Sequence, residues 1–200
     1  MTNPTVEENR QRYEKVKAYL LEKCPEEEQY RKDGLEKLLS YLETTTTFLD
    51  APASTVYHCS YKSGLIEHSV NVANMALKLN RTLKTKFSDW QVTLVALLHD
   101  CGKHCQYYQK EPTPKQKQYD YPGNFGYNLD IPYMNHEDRS LHIISQFITL
   151  TEEEYAAIAF HNYLFRSDDP SFFNASQLAW ILAMADGYCT AFIDTPGRFN

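Results

Sequence analysis

Two hundred residues with 42% hydrophobic and 23% charged side chains are enough for one domain with a real core, and they exclude a disordered or fibrous chain. A formal charge of -6 and a pI near 5.6 exclude a broad attraction for polyanions, so long duplex nucleic acid and acidic membrane surfaces are not expected partners. The five cysteines lack the spacing of a secreted disulfide framework and the polar start MTNPTVEENRQRYEKVK has no apolar run, so a cytoplasmic protein with reduced thiols and no membrane span is expected.

Along the chain, apolar periodicity predicts two helices between residues 9 and 49. Tyr13, Val16 and Leu20 form one stripe, Leu35, Leu38, Leu39 and Leu42 another, and Pro25 marks the break. Residues 1–50 read as a helical extension packed on a core of residues 51–200. From Leu65 onward, Val72, Met75, Ala76 and Leu79 share a helical face with His68. Ser88 followed by Gln91 has the form of a capping box, opening a helix through Trp90, Leu94, Val95 and Leu98 that ends on His99 and Asp100.

Residues 106–134 contain Pro112, Pro114, Pro122, Pro132, Gly123 and Gly126, which forbid a long helix and predict a loop or short hairpin. This insert holds Tyr107, Tyr108, Tyr119, Tyr121, Tyr127 and Tyr133 beside Lys110, Lys115 and Lys117. Rings next to cations suit stacking on a base and holding phosphates; they equally suit a flap packed over the helices or a partner subunit. Helical signals resume with Asn135 as a cap before His136, then Leu141, Ile144 and Ile148. Thr151 and Glu154 form another capping box for a helix carrying Ile158 and His161, and a last helix from Asn174 buries Leu178, Ile181, Leu182 and Ala185 beside Asp186. Strand signals are almost absent, so the expected fold class is all-α.

Asp186 lies within LAWILAMADGYC, where an unpaired carboxylate costs several kcal/mol or becomes neutral. His68, the pair His99 and Asp100, and Asp186 each come from an apolar helix, and imidazoles mixed with carboxylates suit first-row divalent metals better than calcium. Each residue also has a plainer reading: a hydrogen-bonded core histidine, Asp100 as a cap, Asp186 paired with Arg198. Rival sites are thinner. Cys101 and Cys105 have no second cysteine pair for a structural zinc, and nothing places a base beside a Cys101 nucleophile.

The order of GLIEHSVNVA, LLHDCGK and MADGY resembles the HD-domain superfamily of metal-dependent phosphohydrolases, over a stretch from about His58 to Asp194. The HD dipeptide alone is a weak signal; at the end of an apolar helix, between GLIEHS and a late aspartate, it is specific. The resemblance implies an all-helical HD-domain bundle, with His68, His99, Asp100 and Asp186 as ligands of a first divalent ion. The segments NHEDRS and IAFHNY imply a second ion on His136 and His161, with Asp100 bridging, although His136 could instead bind a phosphate directly. The ions would be one or two of Mn, Fe, Co, Ni, Zn or Mg.

By the same resemblance, Asp100 and Lys103 are catalytic, Lys103 lies near the phosphate, and His58 touches substrate. Arg139 and Arg166 would offset charge on the phosphoryl group or be solvated surface charges. His104 and His142 are expected at the surface or in support. The function implied is hydrolysis of a phosphoester or phosphoanhydride bond of a nucleotide or nucleotide-like small molecule by metal-activated water. Alternatives are a nucleotide sensor without turnover, a 3'-5' exonuclease-like phosphodiesterase on short single strands, and an HD fold reduced to protein interaction. An oligomer remains open.

Overall fold

The computed structural model describes residues 3–109, 111, 125–163 and 175–195. Arg166, Asn174, Arg198, Tyr119, Tyr121 and the lysines of the insert lie outside the described residues. Helix α1 (Val6–Glu22) opens with a full capping box in which Thr5 and Glu8 satisfy each other's backbone N–H, an N-terminus that the apolar pattern alone did not mark. Pro25 ends the run as expected: a 3-10 turn at Glu26–Glu28 leads into α2 (Gln29–Thr44), which buries Leu35, Leu38, Leu39 and Leu42.

Helix α3 (Gly64–Leu83) is the central strut and buries nearly all of its first half, including His68. Helix α4 (Asp89–Leu98) packs along it with every residue from Val92 to Leu98 buried, and it starts at Ser88, whose side chain accepts from Gln91 N–H. A 3-10 turn (Cys101–Cys105) follows. The insert begins and ends as a short antiparallel hairpin, β1 (Tyr107–Gln109) against β2 (Phe125–Tyr127), with Tyr107 opposite Tyr127.

Helices α5 (His136–Ile144), α6 (Glu152–Phe160) and α7 (Gln177–Tyr188) close the bundle, capped by Asn135, by the Thr151–Glu154 box and by Ser176. Helix α7 runs into a π-helical turn at Cys189–Ile193. The architecture is all-α, and among the described residues a buried apolar cluster extends from Tyr13 to Cys189, joining α1 and α2 to the other helices. Trp90 Nε1 donates to Leu20 carbonyl oxygen at 2.7 Å, and Arg31 forks onto Glu154 at 2.7 and 3.0 Å. Among the described residues, no helix is long and apolar enough to cross a membrane.

Candidate metal centre

Helix ends and one helix face deliver the polar side chains to a common point. His99 is the C-terminal cap of α4 and His161 that of α6. In each the ring Nδ1 lies 2.8 Å from the carbonyl oxygen three residues back, Ala96 for His99 and Ile158 for His161. A carbonyl only accepts, so Nδ1 carries the proton and Nε2 presents its lone pair inward. His68 follows the same rule with a side-chain partner: its Nδ1 is 2.6 Å from Asp194 Oδ2.

These Nε2 atoms meet carboxylates. His68 Nε2 is 3.2 Å from Asp186 Oδ1 and 3.5 Å from Asp100 Oδ2, and His99 Nε2 is 3.4 Å from Asp100 Oδ2. On the other side of Asp100, Oδ1 is 3.4 Å from His136 Nε2 and 3.7 Å from His161 Nε2. His68 Nε2, His99 Nε2 and Asp100 Oδ1 are buried without a hydrogen-bond partner. Acceptors converging in a buried space call for positive charge at their centre, which a cation supplies.

The ionisation of the groups reflects that demand. Burial disfavours charge on Asp100, yet Lys103 and His99 hold its carboxyl well below the usual range. Asp186 is likewise held low against burial by His68. Burial alone would lower His68, but Asp100, Asp186 and Asp194 raise it well above its ordinary value. The outer imidazoles stay neutral: burial and the Lys103 ammonium push His136 down to about 3, and burial and His99 lower His161.

Among the described residues, three overlapping sets of atoms could each hold an ion: His68, His99 and Asp100; His99, His161 and Asp186; and Asp100, His136 and His161. Asp186 also faces His68. Burial, tautomer and donor type all fit divalent metals of the zinc, manganese and iron class. All six residues expected as ligands are thus brought together.

Lys103 Nζ lies 2.6 Å from Asp100 Oδ2, with its side chain almost wholly buried. The His58 ring centroid is 4.9 Å from that of His68, and both His58 ring nitrogens are buried without a partner. Arg139 turns elsewhere: its Nη2 donates to Pro132 carbonyl oxygen at 2.7 Å and it lines a cavity of about 490 Å³ with Gln106, Tyr127, Tyr133 and Met134. Arg166 lies outside the described residues. His142 is exposed, whereas His104 is half-buried.

Several supporting residues were missed from sequence. Asp194 and Asn71 back His68, and Glu137 and Asn162 contact His136. Asn71, one turn after His68 on its face, and Asn162, adjacent to His161, carried a positional signal; Asp194 did not, because a π turn sets its direction.

A family model described as the HD domain matches residues 65–186, more than half of the chain. The chain belongs to the HD-domain family. This HD domain is also similar to the dihydroneopterin 2',3'-cyclic phosphate phosphodiesterase of Methanocaldococcus jannaschii, at 36% identity over 75 residues that make up 35% of this chain and 30% of that protein. The chain therefore matches less than a third of that relative's length. No solved structure matches this HD domain.

Proposed function

We propose that the protein is a metal-dependent phosphohydrolase acting on a small nucleotide-like phosphoester, with a cyclic phosphodiester as the favoured substrate class. The observation that carries this reading is the convergence of four imidazole Nε2 atoms, from His68, His99, His136 and His161, on Asp100 and Asp186 in a buried space. The cyclic-phosphate activity in the name of the archaeal relative supports the choice of ester.

His68, His99, Asp100 and Asp186 would hold a first divalent ion, and Asp100, His136 and His161 a second. Such ions supply Lewis acidity toward a phosphoryl oxygen and bring the pKa of water from about 15.7 toward roughly 7. The chain's own groups do the rest. Lys103 keeps Asp100 ionised through its 2.6 Å contact and adds a buried positive charge for the phosphoryl oxygens. Burial and the neighbouring His68 push His58 down to about 3, so its imidazole is neutral and its free nitrogens can both donate to and accept from a substrate hydroxyl.

Asn162 marks the second position: its Nδ2 lies 2.7 Å from His136 Nε2, 2.8 Å from Glu137 Oε1 and 3.2 Å from His161 Nε2. Two amide protons cannot serve three acceptors, and we assign Asn162 to yield this place to an ion. The cavity beside Arg139, with Tyr127 and Tyr133 on its wall and Gln106 Oε1 buried without a partner, suits a flat heterocycle. Arg166, outside the described residues, is proposed for its charge alone, as an offset to the phosphoryl group.

The test is turnover by protein loaded with Mn, offered 2',3'-cyclic nucleotides, 3',5'-cyclic nucleotides, mononucleotides, triphosphates and short oligonucleotides. Hydrolysis of the 2',3'-cyclic esters, abolished in His99→Ala and Asp100→Ala with helicity retained, is the expected result. Full activity in Asp100→Ala, or a purified protein with no affinity for divalent metals, overturns the reading.

A further inference from the structure

Behind His68 runs a line of hydrogen bonds that leaves the metal-binding pocket altogether. His68 Nδ1 is 2.6 Å from Asp194 Oδ2; the other oxygen, Oδ1, accepts from Asn71 Nδ2 at 2.7 Å; and Asn71 Oδ1 accepts from Arg12 Nη2 at 2.5 Å. His68, Asn71 and Asp194 are buried, and Arg12 is half-buried on α1. Resting on the metal reading above, we propose that Asp194, Asn71 and Arg12 are positioning residues that fix which nitrogen of His68 faces the pocket, making α1 part of the metal centre.

The argument is one of donor and acceptor count. An ionised carboxylate only accepts, so Asp194 requires N–H groups on both sides and holds the proton on His68 Nδ1, leaving Nε2 as the atom turned toward Asp186 and Asp100. Asn71 has one donor arm and one acceptor arm, and a guanidinium only donates. Arg12 therefore holds the amide with its nitrogen toward Asp194. Every atom in the line has a partner, and no other orientation of the amide satisfies both ends.

An amide at position 194 breaks this count. In Asp194→Asn, Asn71 is still held by Arg12 and still donates toward residue 194, which must answer with its oxygen and so turn its own NH2 toward His68. The ring then accepts at Nδ1 and carries its proton on Nε2, the atom a cation needs. Arg12 and Asp194 both lie outside residues 65–186, so the HD-domain match does not supply this line.

The test uses the full chain loaded with Zn. Affinity for the tighter equivalent is measured by chelator competition in the wild type, Asp194→Asn, Arg12→Met and, as a control on the same helix, Arg10→Ala, which loses only a surface pair with Asp50. Loss of such outer partners weakens metal binding by about 10- to 100-fold. Asp194→Asn is expected at the upper end of that range and Arg12→Met near the lower, with Arg10→Ala unchanged. The independent readout is the imidazole 15N–1H spectrum of the Zn-loaded protein, in which the hydrogen-bonded Nδ1–H of His68 is present in the wild type, shifted in Arg12→Met and lost in Asp194→Asn.

Wild-type affinity in Asp194→Asn, or equal behaviour of Arg12→Met and Arg10→Ala, overturns the inference. If Asp194→Asn does not fold, the comparison of the two α1 variants decides alone. A wild type that takes up no Zn sinks the proposed function instead, so the two failures are told apart.

Discussion

At the scale of single residues, the chain separates histidines by what their second nitrogen touches. His99 and His161 each bond a helix carbonyl through Nδ1, and His68 bonds a carboxylate; all three offer Nε2 to the same space. His104 has a different character. Burial, reinforced by Arg139, pushes it down to about 4. Between about pH 4 and the unfolded value of 6.5 the unfolded chain binds the extra proton, so this group's contribution is complete above 6.5 and lost as pH falls toward 4. Replacing it in His104→Gln should flatten that acid limb by about 2 kcal/mol, after allowance for partial exposure. Urea titrations at half-unit pH steps from 4 to 7 measure the difference from wild type; identical slopes would contradict it.

At the scale of elements, one close approach positions Asp100. The 3-10 turn after Asp100 lies against α5 with Gly102 at the contact, where an added Cβ would stand 2.5 Å from Ser140 N and 2.7 Å from His136 O. Both are backbone atoms, so neither element can give way cheaply. Gly102 N–H also donates to Ser140 Oγ at 2.8 Å, locking the pair. Gly102→Ala should therefore cost about 1–3 kcal/mol and move Asp100 away from His136. Denaturant midpoints read the first effect. Metal titration reads the second, as loss of the weaker equivalent with the tighter one largely kept.

Elements of this kind show what a sequence makes legible. Apolar periodicity followed by His99 and Asp100 announces a helix that ends on polar groups, and the capping boxes place helix starts, because both signals are local in the chain. The positions proposed as ligands are readable for the same reason. The line through Asp194 is not: its partners are 126 and 123 residues away, and its aim depends on a π turn that has no composition signature. Arg139 shows what the chain order hides: one turn from His136, its Nη2 donates to Pro132 carbonyl oxygen, a contact set by the loop before α5.

At the scale of the whole molecule, residues 1–50 form the extension we propose on a core of residues 51–200, yet they share its buried cluster and a buried ion pair, Arg31 with Glu154. Arg31 is almost wholly buried, bonded to Glu28, Thr149 and both oxygens of Glu154, and stacked 5.3 Å from Trp90. Its removal strands a buried carboxylate, so Arg31→Met should destabilise by about 3–5 kcal/mol, and adding Glu154→Gln should restore part of the loss. Equilibrium unfolding of the single and double variants tests this; full stability in Arg31→Met would show the pair to be incidental.

The capping histidines carry one more consequence. Because His99 and His161 close α4 and α6, both helices point their carbonyl ends at the same spot, and each such end carries roughly half a negative charge. Those helix ends and the carboxylates of Asp100 and Asp186 together repel a phosphoester, while the Lys103 ammonium is already engaged by Asp100. For the proposed reaction the order of arrival is built into the scaffold: the cation must enter first, and only then does the anionic substrate meet an attractive field.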